Sequence, residues 1–303
     1  MVDVTHSPSR LYFDASDDEK WLVIDGLQRL YSIYKFMDNL NGNESLTLQG
    51  LEFLKEYNGY KSEDIPRPLM RRINETNVTA YLLRPGTPLN VKYNIFKRLN
   101  TGGMELTPQE IRHAIYPAKS SDLLKSLAED SVFVKSTSNS VPTTRMLDQE
   151  FSLRYVAVAY YGIEHLRDDS DQFLNDTMQW ISDTIDFDER EKNCRSFHEE
   201  VDCAYKIFKQ YCFRKLGRDN RRRPVNKAVF EVWMRALHEL NAEQRKLLVN
   251  RADEVRDEFT NLCDSKTDES RLFVQALGSG DRSYYPRRFT YINKLISKVL
   301  QHA

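Results

Sequence analysis

Residues 21–30 constrain this chain more than any other stretch. Four consecutive apolar residues, Trp21, Leu22, Val23 and Ile24, predict a short strand buried on both faces. Asp25 and Gly26 end it in a turn, because glycine tolerates positive φ and aspartate can bond its own downstream backbone. Leu27, Leu30, Ile33, Tyr34 and Met37 then recur at helical spacing, so a helix starts at or just after Gly26. Strand, glycine turn and helix in succession aim backbone N–H groups and the positive helix end at an anion. Gln28 and Arg29 add an amide and a fixed cation to the first turn. Asp25 is a helix cap, or a metal or water ligand if the site is catalytic. By themselves these residues leave open a plain capped turn with a solvated arginine.

Asp25, Gly26, Leu27, Gln28, Arg29 and Leu30 resemble the D-G-Q-Q-R-L signature of the family called domain of unknown function 262. That family includes the N-terminal domain of GmrSD-type modification-dependent restriction enzymes, with a core similar to the ParB/sulfiredoxin fold. Further stretches agree in order and spacing. Residues 93–103, YNIFKRLNTGG, resemble the family's I-F-x-R-L-N-T-G-G, and residues 106–112, LTPQEIR, resemble its L-s-x-Q-E-I-R continuation. Arg145, Met146, Glu150, Leu153 and Arg154 resemble a later R-M-x-x-x-E-x-x-L-R helix. The resemblance runs from about Lys20 to near the end of the chain. It departs at Leu27, where the family has Gln, and ahead of Lys20, where the family places a strand and a P-x-x-Q-R-x-x-x-W segment that residues 1–19 do not match.

The resemblance implies a nucleotide-dependent component of a prokaryotic restriction or phage-defence system, with an NTP and a divalent metal such as Mg²⁺ as cofactors. Asp25, Gln28 and Arg29 are then the catalytic set, with Asp25 placing the metal. Gly26, Arg98, Asn100, Thr101, Gly102 and Gly103 line the nucleotide, the glycine loop offering close-approach N–H groups. Glu110, Arg112, Arg145 and Glu150 support the site or the domain junction. Without the family, Thr107, Pro108 and Glu110 read as a helix start with a capping box, Gly102 and Gly103 as a helix C-cap, Arg112 as surface, and Glu150 with Arg154 as an i,i+4 pair.

Composition narrows the alternatives. The 303 residues are 40% hydrophobic with 16 Tyr and 15 Phe, as a folded chain requires, and the formal charge of −1 advertises no basic field. No apolar run of membrane-spanning length occurs, so the expectation is a cytoplasmic protein without membrane contact. Cys194, Cys203, Cys212 and Cys263 form neither a disulfide framework nor a zinc pattern and read as reduced, mostly buried thiols. No H-E-x-x-H, HNH pair, phosphate-loop lysine or G-x-S-x-G elbow is present, so any DNA cutting falls to the core itself or to a nuclease partner. Nucleic-acid contact would have to come from local patches. Arg221, Arg222 and Arg223 in one loop, and Arg287 and Arg288 among aromatics, are the candidates, against a solvated surface as the plain alternative.

The expected architecture is α+β: a mobile lead-in over 1–19, a small ParB/sulfiredoxin-like mixed core over 20–118, and an all-helical domain over 119–303. Within the core, short strands are expected over 46–57 and 77–83, and helices over 66–74 and 90–99. Helices over 123–127, 146–161, 173–185, 197–213, 227–240, 244–259 and 291–300 follow from three-to-four spacing. The alternative function is a non-enzymatic DNA-binding or adaptor protein of the same fold, or an inactive truncated member. The short N-terminus carries one more expectation: the strand at 21–24 lacks its usual neighbour. It therefore pairs with a second copy or another polypeptide, or residues 8–19 fold back onto it through Leu11, Tyr12 and Phe13.

Overall fold

A computed structural model describes residues 10–17, 20–37, 46–99, 105–166, 169–219, 221–264, 266–278 and 284–301. The chain forms two compact units, Met1–Met104 and Glu105–Ala303. The division falls ahead of the 118/119 boundary expected from the sequence.

The first unit is built on a three-stranded mixed sheet. Strand β1 (Arg10–Asp17) lies between β2 (Lys20–Asp25), to which it is antiparallel, and β3 (Thr79–Leu83), to which it is parallel. Residues 10–17 of the expected lead-in are therefore sheet: the apolar run Leu11, Tyr12 and Phe13 folds back onto the strand that follows it. Tyr12 and Tyr81 are register partners and their rings stack at 4.8 Å, a cross-strand pair of the kind that fixes register. Helix α1 (Leu27–Met37) follows β2 directly, α2 (Arg67–Asn74) opens after Pro66, and α3 (Leu89–Leu99) follows β3. Between Leu46 and Tyr60 no strand forms. Leu48 exchanges single backbone bonds with Tyr60 and Gly59 at 2.9 and 2.8 Å, too short a contact to propagate a ladder.

The hydrophobic core of this unit is thin. Among its described apolar residues only Leu11, Phe36 and Tyr93 are fully buried. A buried ion pair adds to them: Lys92 Nζ on α3 lies 2.8 and 3.1 Å from the two carboxylate oxygens of Asp14 on β1. Against the expectation of a strand covered on both faces, Trp21 is 56% and Leu22 63% exposed. A run of four apolar residues reads like an interior strand, but the sheet order leaves β2 at its margin.

The second unit is all-helical, as its spacing predicts. Its helices are α4 (Pro108–Ile115), α5 (Ala118–Ala128), α6 (Ser131–Thr137), α7 (Leu147–Val156), α8 (Ser170–Thr184) and α9 (Phe187–Phe208). They are followed by α10 (Lys227–His238), α11 (Ala242–Asn250), α12 (Ala252–Asp264), α13 (Asp268–Gly278) and α14 (Tyr285–Gln301). Helix α7 runs on into a π-helical turn over Ala157–Tyr161. Helix α9 begins well ahead of its expected start because Asp186 caps it, accepting the N–H of Glu189 at 2.9 Å. The single helix expected over 244–259 is two, broken at Arg251 (φ −107°, ψ 29°). Phe133 gathers Phe151, Phe197 and Phe230 within 6.3 Å between ring centres, and Trp233 packs on Phe208 and Phe259. The four cysteines are free thiols, with Cys203 and Cys212 buried, and burial pushes the Cys203 and Cys263 thiols up to about 12. Among the described residues no helix is long and apolar enough to cross a membrane.

Candidate functional site

The turn between β2 and α1 is set by Gly26, which sits at φ +98°. A Cβ at this position would stand 2.2 Å from Leu11 Cδ2, so β1 closes against the bare backbone and leaves room for nothing larger. The carbonyl of Gly26 accepts the N–H of Leu30 at 2.9 Å and starts α1. Asp25 does not act as a simple backbone cap. Its Oδ2 accepts from Arg29 Nη2 at 2.8 Å, one helical turn on, with the two side chains 36% and 46% exposed. Gln28 is exposed beside them. Gly26, Asp25 and Arg29 are thus brought together, with a guanidinium held over the turn and still open to solvent.

Arg29 shares one face of α1 with Ser32, Ile33 and Phe36. Those three residues wall an apolar cavity of about 700 Å³, completed by Leu48, Tyr57 and Leu69, with Arg72 as its one charged lining residue. Arg98 lies exposed in the last turn of α3. Asn100, Thr101, Gly102 and Gly103 fall outside the described residues.

Metal chemistry has one carboxylate to work with in this turn. Among the described residues no three His, Cys, Asp or Glu side chains gather as a metal cage. Asp25 fits a magnesium ion only in the manner of nucleotide sites, where one or two carboxylates share the ion with phosphate oxygens.

In the second unit the expected supporting residues divide into two groups. Thr107 and Glu110 form the capping box read from the sequence: Thr107 Oγ1 accepts the N–H of Glu110 at 3.2 Å, and Glu110 Oε2 accepts the N–H of Thr107 at 2.6 Å. Arg145 completes it. Its Nε donates to Glu110 Oε2 at 3.0 Å, its Nη2 donates to the carbonyl of Glu105, and its own carbonyl accepts from Thr107 Oγ1 at 3.1 Å. Burial alone would raise the Glu110 pKa, but the Thr107 backbone, the Arg145 guanidinium and the Thr107 hydroxyl outweigh it and hold the carboxyl below its usual range. Arg145 and Met146 reach this position at φ +64° and +56°, a pair of left-handed non-glycine residues that costs free energy and persists because the cap over-determines it.

Arg112 and Glu150 belong elsewhere. Arg112, a surface residue when read without the family, is completely buried between α4 and α8, its Nε donating to Asn175 Oδ1 and its Nη2 to Asp171 Oδ1, both at 2.8 Å. Glu150 heads a chain of charges. It binds Arg154 at 2.7 Å and Lys227 at 2.8 Å; Arg154 continues to Glu231 at 2.6 Å, and Arg288 closes on the other oxygen of Glu231. Arg288, read from the sequence as a nucleic-acid contact, is therefore an interior residue, stacked 3.7 Å from the Tyr285 ring centre. Its neighbour Arg287 is exposed. Arg221 and Arg222 are exposed as expected, whereas Arg223 is half-buried and turned back onto Asp219 at 3.2 Å. The Asp14–Lys92 pair went unread, because nothing local links residues 78 positions apart.

A small mixed sheet with a glycine-turned strand-to-helix connection, followed by a helical unit, defines the chain as an α+β protein. Residues 8–117 match the family model described as GmrSD restriction endonuclease, N-terminal domain, so this part of the chain is similar to that domain. The matched segment begins ahead of β1 and ends just beyond α4, so it takes in the turn, residues 100–103 and the Thr107–Glu110 cap. Comparisons with curated proteins and with solved structures give no match.

Proposed function

We propose that this chain is a nucleotide-binding component of a restriction or phage-defence system, and that the Asp25–Arg29 turn is where phosphate binds. The observation that carries the reading is the turn itself. Gly26 is locked in a left-handed conformation against Leu11, at the positive end of α1, with Arg29 held over it by Asp25. An incoming phosphate would compete with Asp25 for Arg29 and gain charge-assisted hydrogen bonds from the guanidinium and the first-turn N–H groups. The apolar cavity along the same face of α1 gives a base somewhere to go. The family match supports the restriction setting. A divalent metal, if bound, would neutralise charge on the phosphates, with Asp25 as its protein ligand.

Binding calorimetry with a panel of nucleoside triphosphates, with and without Mg²⁺, tests this. Arg29→Ala should weaken binding by about 10- to 100-fold, the worth of a charge-assisted contact of roughly 1.5–3 kcal/mol. Equal affinity in wild type and variant, or no binding in either, overturns the reading. Asp25→Asn should retain the fold and binding but lose metal-dependent turnover; unchanged turnover would reduce Asp25 to a partner of Arg29.

A DNA-contacting role is the second reading, favoured by the exposure of Arg221, Arg222 and Arg287. Removing the charges at 221 and 222 should flatten the salt dependence of DNA binding by about one contact per arginine. An unchanged slope makes them solvated surface.

A further inference from the structure

The margin of the first unit's sheet is built to be covered. In the strand order β2-β1-β3, β2 pairs with β1 on one side only, leaving its other row of backbone N–H and C=O groups open among the described residues. Native edge strands are normally blunted by charge, proline or a covering element. This one instead presents Trp21 and Leu22, each more than half exposed, and the helix after it continues the apolar surface with Leu27 and Tyr31 at 63% and 57%. A unit with so thin a core has little else with which to bury those groups.

The register of β2 identifies what covers it. An antiparallel strand can pair with its own copy about a two-fold axis only if residues on the same face stand opposite each other. β2 contains a bulge: Phe13 pairs with Val23 and the next residue back, Tyr12, pairs with Asp25, so Ile24 is the extra residue. Counting past it, an axis through Leu22 sets Leu22 opposite Leu22 of the second copy. Trp21 then falls opposite Val23, and Lys20 falls opposite Asp25. Apolar positions meet apolar positions, and at both ends a lysine meets an aspartate. We infer that the protein forms a two-fold dimer through β2, joining two three-stranded sheets into one of six strands. The contact is isologous, so it closes and does not propagate into a fibre. The dimer itself requires no nucleotide.

Sedimentation equilibrium of the full chain over a wide concentration range, without nucleotide, should show a reversible monomer–dimer equilibrium. Leu22→Lys, a change at an exposed position, should raise the dimer dissociation constant at least tenfold, because it replaces two apolar contacts at the axis with opposed like charges. Its far-ultraviolet circular dichroism and melting temperature at low concentration should remain those of the wild type. Leu22→Cys should cross-link to a dimer with a short bis-maleimide above the background of the native thiols, whereas Phe53→Cys, at a 69% exposed position outside the strand, should not. Three results overturn the inference. They are a wild type that stays monomeric throughout, a dimer that Leu22→Lys leaves intact and Leu22→Cys does not cross-link, and a monomer whose Leu22 and Val23 amides exchange slowly. The last would mean that another part of the same chain is the natural cover.

Discussion

Single residues in the turn do work that their types alone do not specify. Gly26 is needed both for its φ and for its missing Cβ, since Leu11 occupies the space a methyl group would take. Gly26→Ala should therefore destabilise the first unit by about 2 kcal/mol or more, combining left-handed strain with overpacking. Hydrogen exchange at Tyr12 and Val23 would report it, and protection equal to wild type would show that β1 yields without cost. Gly86, also left-handed at φ +82° but with nothing within 4 Å of its would-be Cβ, should lose less on the same substitution. Of the two flanking residues, Asp25 was legible as important but not in its role. A carboxylate at the end of a strand reads as a cap, and only the folded turn shows it spent on Arg29.

At the scale of elements, the start of α4 is the clearest case of sequence chemistry carried into structure. Thr107, Pro108 and Glu110 announce a capped helix, and the cap forms with Arg145 as an unannounced third member. Because Glu110 titrates below its ordinary value when folded, its contribution to stability is fully present above the unfolded glutamate range. It is lost as pH falls through the lower folded pKa. Glu110→Ala should cost about 1 kcal/mol near neutral pH, with the difference from wild type closing as the solution is acidified. Glu110→Gln, which can keep the cap but not the charge, should cost less and should likewise flatten the acid limb. Denaturant titrations at neutral and acidic pH check both, and a cost that does not shrink on acidification would detach the carboxylate from the cap. The strained Arg145 and Met146 backbone follows from the same contacts, whose donors and acceptors lie 35 or more residues away.

Over the whole molecule the charges sort by depth. Glu150, Arg154, Glu231, Lys227 and Arg288 link α7, α10 and α14 in one partly buried network, in which Lys227 and Arg154 outweigh burial and hold the Glu150 carboxyl below its usual range. Removing one member strands the others. Arg288→Ala should destabilise the second unit by roughly 3–5 kcal/mol, whereas Arg287→Ala, one residue away on the surface, should stay within about 0.5 kcal/mol. Thermal unfolding distinguishes them, and equal, small effects would mean that Arg288 reaches solvent. The helical unit has an aromatic core of its own, so a fragment covering residues 105–303 should fold cooperatively by itself. A fragment lacking a sharp thermal transition would show that its stability depends on the first unit.

What the sequence determined by itself is what local chemistry encodes. The strand–glycine–helix turn, the helix after Pro66, β3, the helix ahead of residues 100–103, the Thr107–Glu110 cap and the helical run that follows all follow from spacing, turn residues and capping groups within a few positions. The similarity of residues 8–117 to the GmrSD family model was legible in the same way, because the signatures are short and lie in order. Tertiary structure alone decided the rest. A polar-looking lead-in became β1 because its one apolar run met an unpaired strand. β2 became an edge because sheet order depends on which strands pair, not on how apolar each one is. Arg112 and Arg288 went inside, while Arg221 and Arg287 stayed out, because an arginine's place is set by whether a carboxylate or amide from another helix meets it. The free energy of such a meeting resides in pairs of residues distant in sequence, such as Asp14 and Lys92, and no local pattern records them.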